Sequence, residues 1–136
     1  MSAIFTEDTY EQAIIELFEN MGYEHLYAPD LERDYSSPLL DFMLRDCLVR
    51  INRGLPLDAI EEAIAKLRIF DTGSLLQKNI LFMDYIQNGI TVKFFVKGEE
   101  QASIVRLIDY ENVKNNTFYV VNQFTFLENG NNRRPD

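Results

Sequence analysis

A chain of 136 residues with 46% apolar content suits one domain, or part of a larger one, and lies far from the disordered regime. Its net charge of −9, from 22 acids against 13 bases, would repel DNA as a whole-chain field. Either the chain never meets nucleic acid, or it does so locally while another part of a larger protein supplies the basic groove.

The first predicted element is a helix. Asp8 and Glu11 have the spacing of an N-cap and its N3 carboxylate. Ala13, Ile14, Leu17, Phe18 and Met21 then recur at helical steps as the apolar stripe, and Gly22 supplies the stop. Glu11 falls one residue off the centre of that stripe; capping the helix is one role for it. Residues 23–33 open with a weak alternation of Tyr23, His25 and Tyr27. Ser37-Pro38 then reads as a cap with proline at the first helical position, followed by a face of Leu40, Leu44, Cys47, Leu48 and Ile51 up to Gly54. On that face Cys47 is expected to be a buried, unreactive thiol. Asp58 to Glu61 has capping-box spacing ahead of Ile60, Ala63, Ile64 and Leu67. Ser74 to Gln77 opens a last helix, with Leu76, Ile80 and Met83 expected inward and Asn88-Gly89 ending it.

The pattern then switches to period two. Ile90, Val92, Phe94 and Val96 alternate with Thr91, Lys93 and Lys97, a strand with one buried face. Gly98-Glu99-Glu100 reads as a turn, residues 102–109 as a second strand, 110–116 as a polar loop and 117–127 as a third strand. Short connections imply antiparallel neighbours, so the expectation is a β-meander. The fold class is α+β: a single domain over 1–136, with helices over about 8–87 packed on a sheet over about 90–127.

Taken singly, the polar residues name no chemistry. His25 has no nucleophile or second histidine near it in sequence and reads as solvated or capping. Arg45, Arg50 and Arg53 lie on an outer helix face, and no glycine-rich phosphate loop or Cys/His cluster occurs. Asn122, on the apolar side of its strand, is expected to tie neighbouring backbone together. Asp109 and Asn112 suit side-chain–backbone turn bonds. One cysteine excludes an internal disulfide framework, and no apolar run approaches the roughly 18 residues needed to span a bilayer. The acidic N-terminus, MSAIFTEDTYEQ, lacks the order of a signal peptide, so the cytoplasm is the simplest location.

The order of the motifs says more. T-E-D-T-Y-E-Q-A running to M-G-Y occupies residues 6–23, and I-N-R-G-L-P-L-D-A-I-E-E-A-I-A-K-L occupies 51–67. N-G-I-T-V follows at 88–92, L-I-D-Y-E-N at 107–112, N-T-F-Y-V-V-N-Q-F at 116–124 and R-P-D at 134–136. In this order they resemble the N-terminal nuclease region of the type I restriction enzyme R (motor/endonuclease) subunit, and the resemblance covers nearly the whole chain. Val113 departs from the proline that this family often carries after L-I-D-Y-E-N.

The resemblance implies an incomplete PD-(D/E)xK, restriction-endonuclease-like fold. Asp136 matches the first metal-binding carboxylate of that motif, and Glu11 matches a first-helix glutamate that points towards the metal site. It further implies a magnesium site in the parent, with the Glu-x-Lys strand beyond Asp136, and an ATP-binding motor absent from this chain. The parent would be a bacterial or archaeal type I site-specific deoxyribonuclease that translocates and cleaves double-stranded DNA, assembled with modification (M) and specificity (S) subunits. The chain alone would be an inactive fragment. Arg133 and Arg134 either contact phosphate near the scissile bond or are solvated. The competing expectation, motivated by the acidic charge, is a non-catalytic protein-interaction module that docks within a larger complex. The helical first half would serve M-subunit docking or packing on the motor.

Overall fold

A computed structural model describes residues 5–70 and 73–135 of the chain. It is a mixed α/β structure of four helices and small two-stranded sheets among the described residues, divided into two compact units. One is discontinuous, Met1–Leu40 with Thr117–Asp136; the other is Asp41–Asn116.

The discontinuous unit begins with helix α1, Glu7–Asn20. Its N-cap is Thr6, whose hydroxyl accepts from the Thr9 amide at 3.1 Å, so the capping role expected of Asp8 and Glu11 falls to a residue slightly upstream. The buried stripe is rotated from the expected one. Ile15 is 4% exposed, with Glu11 and Phe18 half-buried beside it, whereas Ile14, Leu17 and Met21 face out. Glu11, Ile15 and Phe18 stand four and three residues apart, which places them on one helix face. That face meets strand β1, Glu24–Tyr27, and strand β4, Tyr119–Asn122.

β4 corrects the expected meander. It pairs in parallel with β1, aligning Glu24 with Tyr119 and Tyr27 with Asn122. Parallel strands need a long crossover, and here the other unit supplies it. A hairpin of β5, Phe126–Glu128, and β6, Asn131–Arg133, follows through Asn129-Gly130, both at positive φ.

The second unit holds α2 (Asp41–Ile51), α3 (Leu57–Arg68), α4 (Leu75–Asn88), and the antiparallel strands β2 (Ile90–Val96) and β3 (Glu99–Val105). Its core joins Leu48 of α2 and Ala59, Ile60, Ala63, Ile64 and Leu67 of α3 to Ile90, Val92, Phe94 and Val105. The period-two reading of β2 holds: Ile90, Val92 and Phe94 are buried while Thr91, Lys93 and Phe95 are exposed. The hairpin turns at Lys97-Gly98, at φ 52° and 81°, so β3 starts earlier than expected, at Glu99, and also stops earlier, at Val105.

Other boundaries shift as well. α2 begins at Asp41, downstream of Ser37-Pro38. α3 starts after Pro56 without a side-chain cap, replacing the box expected at Asp58 and Glu61. Glu61 instead pairs with Arg45 of α2. Cys47 is half-buried with Arg50 Nη2 at 3.5 Å from its sulfur, rather than fully enclosed. α4 opens on the expected Ser74–Gln77 capping box and ends at Gly89 (φ 82°). Its expected inward residues face out, however, with Leu76 69% and Ile80 61% exposed.

Candidate active site

Of the residues singled out for chemistry, the described ones, Glu11, Arg133 and Arg134, lie in the discontinuous unit. Gly22 (φ 96°) stops α1 and turns the chain into β1. Tyr23 then packs between Phe18, 5.0 Å away, and Phe118, 5.5 Å away between ring centres, fastening the helix to the strand pair. With the helix held this way, Glu11 stands at the N-terminal end of its inward stripe. The helix begins at Glu7, so Glu11 is past the first turn and does not cap it.

The Glu11 carboxylate has a defined partner. Gln123, immediately after β4, donates from Nε2 to Glu11 Oε1 at 2.8 Å. Both side chains are half-buried, and Glu11 Oε2 has no hydrogen-bond partner among the described residues. Gln123 takes a left-handed backbone conformation, φ 56°.

The residues on either side are anchored separately. Asn122 Oδ1 lies 2.7 Å from His25 Nε2, which places the amide in a side-chain bond to β1 rather than in the backbone tie expected of it. The same contact gives His25 a structural partner and corrects its reading as solvated. The Arg33 guanidinium lies over the Phe124 ring at 4.2 Å and over the Tyr35 ring at 4.1 Å. Arg33 Nη2 donates to the Thr125 carbonyl, and its Nε and Nη1 are buried without a hydrogen-bond partner among the described residues. The Leu127 amide donates to the Tyr35 carbonyl at 2.7 Å, joining this segment to β5.

Arg133 ends β6 and faces Glu128 at 3.5 Å, and Arg134 is exposed. Asp136 lies outside the described residues. The described residues contain no cluster of three or more His, Cys, Asp or Glu able to hold a metal by themselves; those of this unit offer one inward-facing carboxylate, Glu11, with a free oxygen. That donor suits a hard cation, which takes one or two protein carboxylates and keeps several waters. Sequence reasoning missed Gln123 and Arg33. The first lies in the N-Q-F motif at 122–124, where nothing in the residue pattern marked it out.

A family model described as "Type I restriction enzyme R protein N terminus" matches residues 4–136. The chain belongs to this family. It is 28% identical over 142 residues to the Type I restriction enzyme HindI endonuclease subunit of Haemophilus influenzae, across 98% of this chain and 14% of that relative. It is 29% identical over 135 residues to a Methanocaldococcus jannaschii protein named as the MjaIXP endonuclease subunit of a type I restriction enzyme, across 93% of this chain and 13% of that relative. The chain therefore corresponds to a small part of each relative's length. No solved structure matches it. The ordered motifs had pointed to this family, and the family match bears them out. Among the described residues, no helix is long and apolar enough to cross a membrane.

Proposed function

We propose that this chain is the leading part of the nuclease domain of a type I restriction enzyme R subunit, with a PD-(D/E)xK fold completed by the longer protein. Glu11 and Asp136 serve there as metal-site carboxylates. The observation that carries the reading is the placement of Glu11: a carboxylate turned onto the packed face of α1, one oxygen tied to Gln123 and the other free. A charged group on such a face is costly unless it has a partner or a cation to serve.

In the complete domain, Asp136 and Glu11 would hold Mg²⁺, which supplies charge for the scissile phosphate and an activated water. Glu11 keeps its carboxylate oriented through Gln123, and Arg133 and Arg134 offer positive charge to the phosphate backbone beside Asp136. Cleavage of double-stranded DNA is coupled in the parent to ATP-dependent translocation by motor domains outside this chain. The parent works with M and S subunits in the cytoplasm.

The test is Asp136→Ala and Glu11→Gln in the full subunit assembled with its partners. Loss of cleavage with ATPase retained supports the reading. Intact cleavage in both variants refutes it and favours the acidic docking module.

One observation favours an added docking role for the other unit. α4 is apolar yet has no buried residue, with Leu75, Leu76, Ile80 and Met83 facing out. A patch of this kind marks an interaction surface, here for the motor or M subunit. Leu76→Gln with Ile80→Gln should weaken assembly without changing the fold of the isolated chain; unchanged assembly would remove this role.

A further inference from the structure

We infer that Gln123 is a positioning residue for the Glu11 carboxylate, setting which oxygen is presented to the cation; this rests on the metal-site reading of Glu11. Three observations converge on it. The Gln123 amide donates to one carboxylate oxygen and leaves the other free. An amide is a neutral donor, so it orients the carboxylate without neutralising it, as a lysine at this position would. Partners of this kind fix ligand orientation at metal sites.

The second observation is the backbone. Three non-glycine residues among those described have positive φ: Lys97, Gln123 and Asn129. Lys97 and Asn129 each precede glycine in a two-residue hairpin turn, where the turn itself demands that conformation. Gln123 has no such turn to explain it. An unbranched side chain held in left-handed backbone without a hairpin is a local cost, and such costs concentrate at functional positions.

The third is the support on both sides. Asn122 is held by His25 and Phe124 by Arg33, so the strained residue between them is fixed from each direction. From this fixed backbone the side chain reaches across to Glu11 of α1.

A purely structural tie between α1 and β4 would use the same bond, and the variants separate the two roles. Gln123→Leu removes the amide and keeps the backbone strain. Gln123→Gly removes the amide and relieves the strain, so it keeps or improves thermal stability. Both are made in the full-length subunit, with Glu11→Gln as reference. Two quantities are read: Mn²⁺ binding to nucleotide-free protein, from the electron paramagnetic resonance signal of the free ion, and the Mg²⁺ concentration for half-maximal DNA cleavage by the assembled enzyme. The expected result is a weakening of both by about tenfold or more in each variant, the scale seen for partners of metal ligands, with ATPase retained. If both Gln123 variants bind and use metal as wild type does while Glu11→Gln loses both, the positioning role is overturned and the metal site stands. If cleavage falls at every Mg²⁺ concentration with an unshifted midpoint and Mn²⁺ affinity is unchanged, Gln123 is a structural tie and the inference is overturned. If Glu11→Gln itself changes neither quantity, the metal-site reading fails and takes the inference with it.

Discussion

Replacing Asn52 with alanine should unfold the Asp41–Asn116 unit more readily than any surface change would. Asn52 is 8% exposed and sits at the end of α2. Its Nδ2 donates to the Leu48 carbonyl at 2.9 Å and to the Arg106 carbonyl at 2.8 Å, and its Oδ1 accepts from the Arg106 amide at 2.7 Å. The side chain thus pairs with Arg106, just past β3, as a neighbouring strand would. The Leu48 carbonyl keeps its bond from the Asn52 backbone amide, 2.9 Å away, so losing the first contact matters least. The two bonds to Arg106 contribute about 1 kcal/mol each, and stranding part-buried groups adds about 1–2 more, for a total of about 3–4 kcal/mol. A lowered urea midpoint at unchanged slope, read by circular dichroism on this chain, measures it. Hydrogen exchange of the Arg106 amide should lose its protection in step. Asn52→Asp should be at least as damaging, since it turns a carboxylate towards the Arg106 carbonyl. A loss below about 0.5 kcal/mol for Asn52→Ala, with Arg106 still protected, would refute this account.

Glycine substitutions test the turn geometry. At Gly89 (φ 82°) a Cβ would meet the Val105 carbonyl oxygen at 2.7 Å, so Gly89→Ala should cost about 2–4 kcal/mol. At Gly22 (φ 96°) a Cβ meets nothing within 4 Å, so Gly22→Ala should cost only about 1 kcal/mol from backbone strain; equal effects in thermal melts would contradict the contrast. Asp109 supplies a pH test. The Asn112 amide, then the Asn115 side chain and the Glu111 amide, donate to its carboxylate and hold its pKa below the ordinary range. A lowered pKa gives stability that is complete above the unfolded value of about 4 and is lost as pH falls through the folded one. Hydrogen exchange at Asn112 should therefore accelerate in that acid window, and Asp109→Asn should abolish the acid dependence; an unchanged acid profile in the variant would assign it to another group.

Local patterns were legible in the sequence where their partners lie nearby. Ile60, Ala63, Ile64 and Leu67 of α3, the alternation of β2 and the Ser74–Gln77 cap all follow from spacing, and the structure keeps them. The third predicted strand was read as a hairpin partner because its neighbours in sequence are strands. Its parallel mate, Glu24–Tyr27, is remote and weakly patterned, and pairing over that distance leaves no local trace. The α1 stripe was misplaced because Ile14, Leu17 and Met21 outnumber the residues that bury, while Tyr23 and the strand pair select the face bearing Ile15 and Phe18. The inward position of Glu11 followed from that rotation. The metal role proposed for it came from the family resemblance, and Gln123 became visible only once the helix and β4 stood side by side. α4 shows the reverse case, an apolar stripe at Leu76, Ile80 and Met83 that the described residues leave exposed.

Diffraction from crystals of the full-length subunit soaked in Mn²⁺, at the manganese edge, tests the central claim most directly. The account predicts an anomalous peak about 2.0–2.2 Å from an Asp136 carboxylate oxygen, with the free oxygen of Glu11 bonded to the ion or to one of its waters. A peak on Asp136 with Glu11 beyond reach of the ion and its waters, or no manganese at Asp136 at all, would contradict it.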